Sequence, residues 1–399
     1  MTAAAADVPQ RSGDPALLAS LLLLGGANSV LFSVMPPAGR QLGLAEWQVG
    51  MIVAFSAAAY MVAAAWWGRV SDLKGRRLVV VTGMAGFGLG GVVFAGVLDL
   101  GLAAVAPPML VLILMIAARI GQSALSGGVY PAAQAHIADG TPPERRAVAL
   151  SAIMAAFALG SILGPAVAGL LVEIHITLPL YLIAVASFGA TQWCFMTMGS
   201  RPPVVAPAKA RLSPGDKRLA AWMVMIAVYF VATAGVQQIL GFAVQDRLSL
   251  EAVATARLTS WIFMGAGLVA VLFQLLVVRR SKWSATTLLA IGLAGSVVMY
   301  AGLMAVDRDW QFLALTLAMG VSFACVSPGL SAAVSIAVEA DEQGAAAGLV
   351  AAAQAGGFLV GPVLFALLYQ LWPMLPFVAG LGVVLSLLAF VLLRSRLTP

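Results

Sequence analysis

The ten residues GRVSDLKGRR, Gly68 to Arg77, carry five charges (Arg69, Asp72, Lys74, Arg76 and Arg77) in a chain of 399 residues of which only 10% are charged. Uncharged apolar runs stand on both sides, 47–67 before the stretch and 78–98 after it. Each run is about 20 residues long, enough for a helix to cross the hydrocarbon core of a bilayer. A short basic segment between two such runs reads as the turn of a helical hairpin at a membrane surface.

The same alternation covers the whole chain. Apolar runs fall at 16–38, 47–67, 78–98, 108–135, 145–172, 177–197, 219–243, 258–278, 285–305, 311–336, 344–370 and 374–393. The chain is 62% hydrophobic and its mean hydropathy is +1.00. Soluble domains are nearer half apolar, with about a quarter of their residues charged. A transmembrane β-barrel would show short alternating segments instead. The expected fold class is therefore an all-α integral membrane protein of twelve transmembrane helices. The first residues lack the basic start and apolar core of a secretory signal, so 1–15 is expected to be a cytosolic tail. The longest polar stretch, 199–218, is rich in Pro and basic residues and reads as a linker. It separates a six-helix bundle at 16–198 from a second at 219–393, with a cytosolic tail at 394–399.

Charge gives the orientation. With the N-terminus in the cytoplasm, 17 of the 22 Lys and Arg fall on the cytoplasmic side and four on the other. Arg119 falls within a span. Positive residues are retained inside, so both termini are expected in the cytoplasm of a multi-pass cell-membrane protein, with a bacterial inner membrane the expected setting. The net charge of +6 sits in loops and serves topology, which argues against nucleic acid as a partner. Cys194 and Cys325 lie inside apolar runs and form no disulfide framework, and His136 and His175 stand 39 positions apart with no ligand-like neighbours. No metal site or cofactor is expected, and an enzyme, which would need a clustered nucleophile and base, is not.

Two passages repeat. In one, Pro131 precedes Pro165 by 34 residues; in the other, Pro328 precedes Pro362 by 34. An offset of 197 relates them, and it also aligns Glu144 with Asp341 and Gly160 and Gly164 with Gly357 and Gly361. Parallel repeats of this kind are a transporter plan in which the substrate site lies near the midplane between the halves.

On these features the chain resembles the major facilitator superfamily, and most nearly its twelve-span drug:proton antiporter branch. Gly68, Asp72, Gly75, Arg76 and Arg77 match the loop signature between spans two and three, G-x-x-x-D-x-x-G-R-[RK]. RIGQS in span four, with Arg119 and Gln122, matches in part a signature of proton-linked members; Ser123 stands where a Gly is usual. GSILGPAVAG in span five, with Gly160, Gly164, Pro165 and Gly169, resembles the antiporter motif of drug exporters, with Ala168 replacing one Gly. The resemblance implies two pseudo-symmetric bundles that rock about a central site. It also implies a cytosolic latch in which Asp72 and the Arg residues meet the start of span eleven in the outward-facing state. In this chain Asp341 and Glu342 stand there as partners for Arg76. Gly68 and Gly75 suit a sharp turn.

The residues themselves outline a cavity. Arg119, Gln122, Ser126 and Tyr130 recur at +3, +7 and +11, one helix face. A charge at membrane depth costs at least about 2.5–3.5 kcal/mol, so Arg119 should face a wet or paired interior. By analogy with the family, span one adds Asn28 and Phe32, span seven Tyr229, Thr233 and Gln237, span eight Trp261, span ten Phe323, and span eleven Gln354. Such a pocket is apolar and aromatic, with uncharged hydrogen-bonding groups and one cation, and suits an amphipathic or weakly anionic small molecule. Gly160, Gly164 and Pro165, repeated at Gly357, Gly361 and Pro362, read as close seams between helices, expected to face the other half.

No carboxylate falls near mid-membrane. Asp72, Asp99, Asp246 and His136 are the titratable groups left for proton coupling. The expected function is secondary active transport by alternating access in a lipid bilayer, as a monomer: proton-coupled efflux of hydrophobic or amphipathic compounds. The alternative, favoured by Arg119, is an importer or facilitator of an anionic solute (siderophore-like, carboxylate or peptide-like).

Overall fold

The computed structural model describes residues 14–142, 145–199, 212–213, 215–339 and 342–397. Among them every regular element is helical, and twelve helices are long and apolar enough to cross a membrane. They are Pro15–Gln41, Glu46–Lys74, Arg76–Leu102, Pro108–Asp139, Val148–Leu171, Leu178–Thr197, Ala220–Leu248, Ala252–Val278, Ala285–Ala305, Asp309–Ile336, Gln343–Leu371 and Leu375–Arg394, spans one to twelve. A helix satisfies its own backbone inside lipid, which is why spans of this composition take no other form. Large apolar side chains such as Val62, Leu170, Val185 and Leu371 are exposed on the outer faces, where hydrocarbon is their solvent.

Most helices outrun the apolar stretches that announce them. Span two continues from the expected end at 67 through Lys74, so most of GRVSDLKGRR is helical. Hydropathy falls at the membrane surface, but helical hydrogen bonding does not stop there. Gly75, at φ +97°, is the single residue between spans two and three. Its left-handed backbone favours glycine. Gly68, expected in the same turn, lies within span two with open space where a side chain would sit. Other starts are capped conventionally: Asp14 accepts from the Ala16 amide at 3.1 Å, and Ser284 from the Thr287 amide at 3.1 Å.

The spans pack as two six-helix bundles built alike. One packs with five, two with four, and three with four and six; seven packs with eleven, eight with ten, and nine with ten and twelve. The halves are joined chiefly by span two against eleven and five against eight. Twelve crossings bring both chain ends to one side, here the terminal side; the other is the far side.

Four glycines of the span-five and span-eleven motifs, Gly160, Gly164, Gly357 and Gly361, do not face the other half as expected. A Cβ on Gly160 would overlap the Leu22 carbonyl oxygen, and one on Gly164 would meet the backbone of Gly26, both on span one. Gly357 and Gly361 meet the backbone around Phe230, Val231 and Gly235 on span seven in the same way. These seams bind spans one to five and seven to eleven inside each half. Pro165 and Pro362 lie within continuous helices. The contacts between halves use neighbouring faces: Gly50 on the Pro362 carbonyl, Gly267 on Ile162 and Gly169 on the Trp261 ring.

The two repeats differ in the helix of span four. Span four breaks at Gly127 and Gly128, between helices ending at Ser126 and starting at Val129. At the equivalent depth span ten is a continuous helix that includes Pro328. Glu144 and Asp341 of the repeat, and Arg201, Lys209 and Arg211 of the linker, lie outside the described residues.

Candidate functional site: a cavity between the halves

At mid-depth, spans one, five, seven, eight, ten and eleven enclose a cavity of about 260 Å³. Span one contributes Asn28, Ser29 and Phe32; span seven Tyr229, Phe230, Thr233 and Gln237; span ten Phe323 and Ser327. Span five adds Ser161, span eight Phe263 and Gly267, and span eleven Phe358. The i, i+4 and i, i+3 spacings turn each set onto one helix face. The rings form a lattice: Phe358 stands 6.4 Å from Phe32 and 6.3 Å from Phe230, and Phe230 packs edge-on to Tyr229 at 5.5 Å. Phe32 to Phe358 spans the two halves. The Tyr229 hydroxyl is fixed at 3.0 Å from Ser322 Oγ, which lies 2.6 Å from Ser296 Oγ. No lining residue is charged.

Of the residues expected here, Asn28, Phe32, Tyr229, Thr233, Gln237 and Phe323 come together. Trp261 packs on Gly169 at the contact between spans five and eight, and Gln354 sits one turn from Phe358, half-buried and off the lining. The span-four stripe points elsewhere. Arg119 and Gln122 line a separate pocket of about 30 Å³ among spans one, three, four and six. Ser126 Oγ donates to the Gln122 carbonyl at 2.7 Å, and Tyr130, past the break at Gly127–Gly128, packs on Phe157 at 5.7 Å. Ala27 and Leu31 face this pocket while Asn28 and Phe32 face the central one, so span one stands between them. Three lining aromatics, Phe230, Phe263 and Phe358, were not expected from the sequence. The offset of 197 pairs Phe32 with Tyr229 and Ser161 with Phe358, and all four line the cavity.

The far side is tied across the halves. Arg40, at the end of span one, grips the Asp246 carboxylate of span seven through both of its terminal nitrogens, Nη2 to Oδ2 at 2.9 Å, and also donates to Glu46 at 2.8 Å. Tyr369 of span eleven donates to the same Asp246 Oδ2 at 2.6 Å, and the Arg40 guanidinium lies 4.9 Å from the Phe242 ring centre. Arg257 of span eight pairs with Glu173 at the end of span five. Above the cavity, Pro36 packs on Gly241.

Among the described residues, the ion pairs of the terminal side lie within each half. Arg76 pairs with Asp72 and, at 3.2 Å, with Asp139, both in the first half. Arg77 lies 4.7 Å from the Phe195 ring centre. In the second half Arg218 holds Asp216 and Glu342, each at 2.9 Å. The Arg218 hydrogen bonds keep both carboxyls below their ordinary pKa. Glu342, expected as a partner for Arg76 across the halves, is thus engaged at home; Asp341 lies outside the described residues. The remaining titratable candidates are off the central cavity: Asp99 accepts from Tyr181 at 2.9 Å near the far side, and His136 is buried near the terminal end of span four.

Comparison with known proteins agrees with this architecture. The family model of the Major Facilitator Superfamily matches residues 17–256 and 219–399. The chain is 23% identical over 385 residues to the quinolone resistance protein NorA of Staphylococcus aureus strain MRSA252, covering 94% of each. It is 25% identical over 371 residues to multidrug resistance protein 1 of Bacillus subtilis strain 168, covering 90% of each. A crystal structure of the peptide transporter POT in complex with sulfate superposes with a TM-score of 0.72 at 16% identity, covering 98% of this chain and 97% of that one. With a family model spanning the chain and twelve spans in two like bundles around a shared cavity, the protein belongs to the Major Facilitator Superfamily.

Proposed function

We propose that this transporter exports neutral or amphipathic aromatic compounds by alternating access, driven by protons. One observation carries the reading: the cavity shared by the two halves is lined by six aromatic rings and a few hydroxyl and amide groups, with no charge. Such a lining holds a planar apolar molecule by ring contact and orients it through one or two hydrogen bonds. The names of the Staphylococcus and Bacillus relatives, a quinolone and a multidrug resistance protein, support the same direction and class. Arg119, which favoured an anionic solute, lies behind span one, so the import reading loses its carrier.

The units of this machine are the bundles 16–198 and 219–393, joined by the linker 199–218, with tails 1–15 and 394–399. Both termini face the cytoplasm of a bacterial cell membrane, and the chain works as a monomer. The terminal side is then cytoplasmic, and the far-side ties describe an inward-facing state. Substrate contacts are assigned to Asn28, Phe32, Tyr229, Thr233, Gln237 and Phe323. The gating motif is Asp72, Gly75, Arg76 and Arg77, which latches the halves in the opposite state.

The test is a susceptibility panel on a deletion strain, complemented by the wild-type chain or by Phe32→Ala. Hypersensitivity to aromatic amphiphiles that wild type rescues and Phe32→Ala does not is the expected result. Failure to grow on one anionic nutrient, with no hypersensitivity, overturns the export reading. In proteoliposomes an imposed pH gradient should raise transport several-fold; indifference to the gradient removes the proton from the mechanism.

A further inference from the structure

The pocket behind span one contains a cation and no acid. Arg119 and Gln122 are its polar members, and every other lining side chain is apolar, with Phe87 and Phe94 the largest. Of the five N–H groups of a guanidinium, Nη1 donates to Gln122 Oε1 at 2.5 Å. Nε is shut away from solvent and has no acceptor. Gln122 is itself held in place, its Nε2 donating to the Phe87 carbonyl at 2.9 Å, and it brings no negative charge. The Phe94 ring, 5.8 Å from the Arg119 Cζ, presents only the partial negative charge of its face. The charge itself cannot be shed, because arginine stays protonated in proteins.

Water in the pocket would satisfy the N–H groups but leave the charge uncompensated at membrane depth, where ionic groups are found paired. An anion answers both. The fork of Nε and a terminal nitrogen favours an acceptor that takes two charge-assisted bonds. Size narrows the choice. One water needs about 10–15 Å³ of such space, and the pocket offers about 30 Å³. That admits a monatomic ion and excludes an aromatic solute.

We propose that Arg119 binds one small inorganic monoanion, of the size of chloride, in this pocket. The site is separate from the transport cavity, one helix thickness away across Ala27 and Leu31. It neutralises span four without placing a charge against the transported molecule.

The test needs no transport, so it stands or falls apart from the export reading. The purified full chain in detergent is melted in sodium chloride and in sodium gluconate at equal ionic strength, and binding of radiolabelled chloride is measured by equilibrium dialysis. Wild type should melt about 2 °C or more higher in chloride, as expected of a ligand bound only by the folded state, and should bind about one labelled ion per chain. Arg119→Gln should lose both, and Arg119→Lys should keep the label with weaker affinity. Equal melting in the two salts with no bound label overturns the proposal, as does an unchanged response in Arg119→Gln. Binding of labelled benzoate in place of chloride, lost in Arg119→Gln, overturns it in favour of a substrate carboxylate. If Arg119→Gln does not fold, the anion series on wild type decides. A site of this size ranks chloride and bromide above sulfate, whereas general salt exclusion ranks sulfate first.

Discussion

The two ends of the molecule use the same chemistry in opposite ways. At the far side, arginines reach from one half to acids of the other: Arg40 to Asp246, and Arg257 to Glu173. At the terminal side, Arg76 and Arg218 find their acids at home, in Asp72, Asp139, Asp216 and Glu342. An ion pair across the seam must be given up before the halves can part there; one inside a half moves with it. The far side is therefore the end tied across the seam in this conformation, whereas these terminal-side pairs stay within a half. Two rigid halves with exchangeable ties are what rocking requires, because packed interfaces are bistable and do not deform continuously.

Rigidity inside each half is where the largest effect is expected. Span five meets span one backbone to backbone at Gly160 and Gly164, so no side chain there has room to yield. Gly160→Val should cost about 3 kcal/mol or more through overpacking and abolish the monodisperse peak in size-exclusion chromatography. The same substitution at Gly348, which has open space around it, should leave that peak intact. If Gly160→Val folded and transported normally, the first half would not be the rigid body the comparison assumes.

The next effect tests the tied end itself. Asp246→Asn keeps the shape but removes the charge that Arg40 holds, and leaves Arg40 to Glu46 in its own half. Both groups are partly exposed, so the pair is worth about 1 kcal/mol across the seam. Spin labels at Gly43 and Ser249, on the far side of each half, should show a longer-distance population that wild type lacks. Arg257→Gln, at a more exposed pair, should shift that population less.

Much of this arrangement can be read in the sequence, and the part that cannot has a physical cause. The bilayer sets the length of every span, so twelve apolar runs announce twelve helices, and the 197-residue offset announces like halves. Phe32 and Tyr229 hold equivalent positions by that offset and both line the cavity. Ser126 and Tyr130 are the partners of Phe323 and Ser327, yet only the second pair lines it. The cause is local: the Ser126 hydroxyl is spent on the Gln122 carbonyl of its own helix and Tyr130 packs on Phe157 of span five. Periodicity places Arg119 and Gln122 on one face but not which neighbour the face meets. Glycine spacing likewise marks a close seam without naming its partner, which for Gly160 and Gly164 proved to be span one. Arg40 and Asp246 stand 206 residues apart, and nothing in one sequence links them.

Asp72 sharpens the comparison from the terminal side. In this conformation it pairs with Arg76 four residues on, with its side chain 59% exposed. Such a contact adds little to stability, and Asp72→Asn should insert and fold as wild type does. In the opposite state the proposed latch would bring the same carboxylate towards the start of span eleven, where a helix N-terminus favours negative charge. The expected result is slower transport, about fivefold or ~1 kcal/mol in the barrier, with unchanged melting. Unchanged transport would reduce the segment to a topological anchor.

The smallest effect concerns Arg218, the terminal-side counterpart of Arg40. Its hydrogen bonds hold the Asp216 and Glu342 carboxyls below their ordinary values of 3.8 and 4.5. A carboxyl depressed in the folded state contributes stability that is fully present above its ordinary pKa. That stability is lost as pH falls through the depressed value. Wild type should therefore lose a small increment of melting temperature below about pH 4.5 that Arg218→Ala lacks throughout, so the two melting curves should converge in acid. All three groups are at the surface, and salt should shrink the gap at neutral pH. Because the triad ties the end of the linker to span eleven without reaching the first half, its removal should leave the spin-label distances at the far side unchanged. A far-side change in Arg218→Ala would mean that ties within a half also govern the seam, and the division of labour between the two ends would fail.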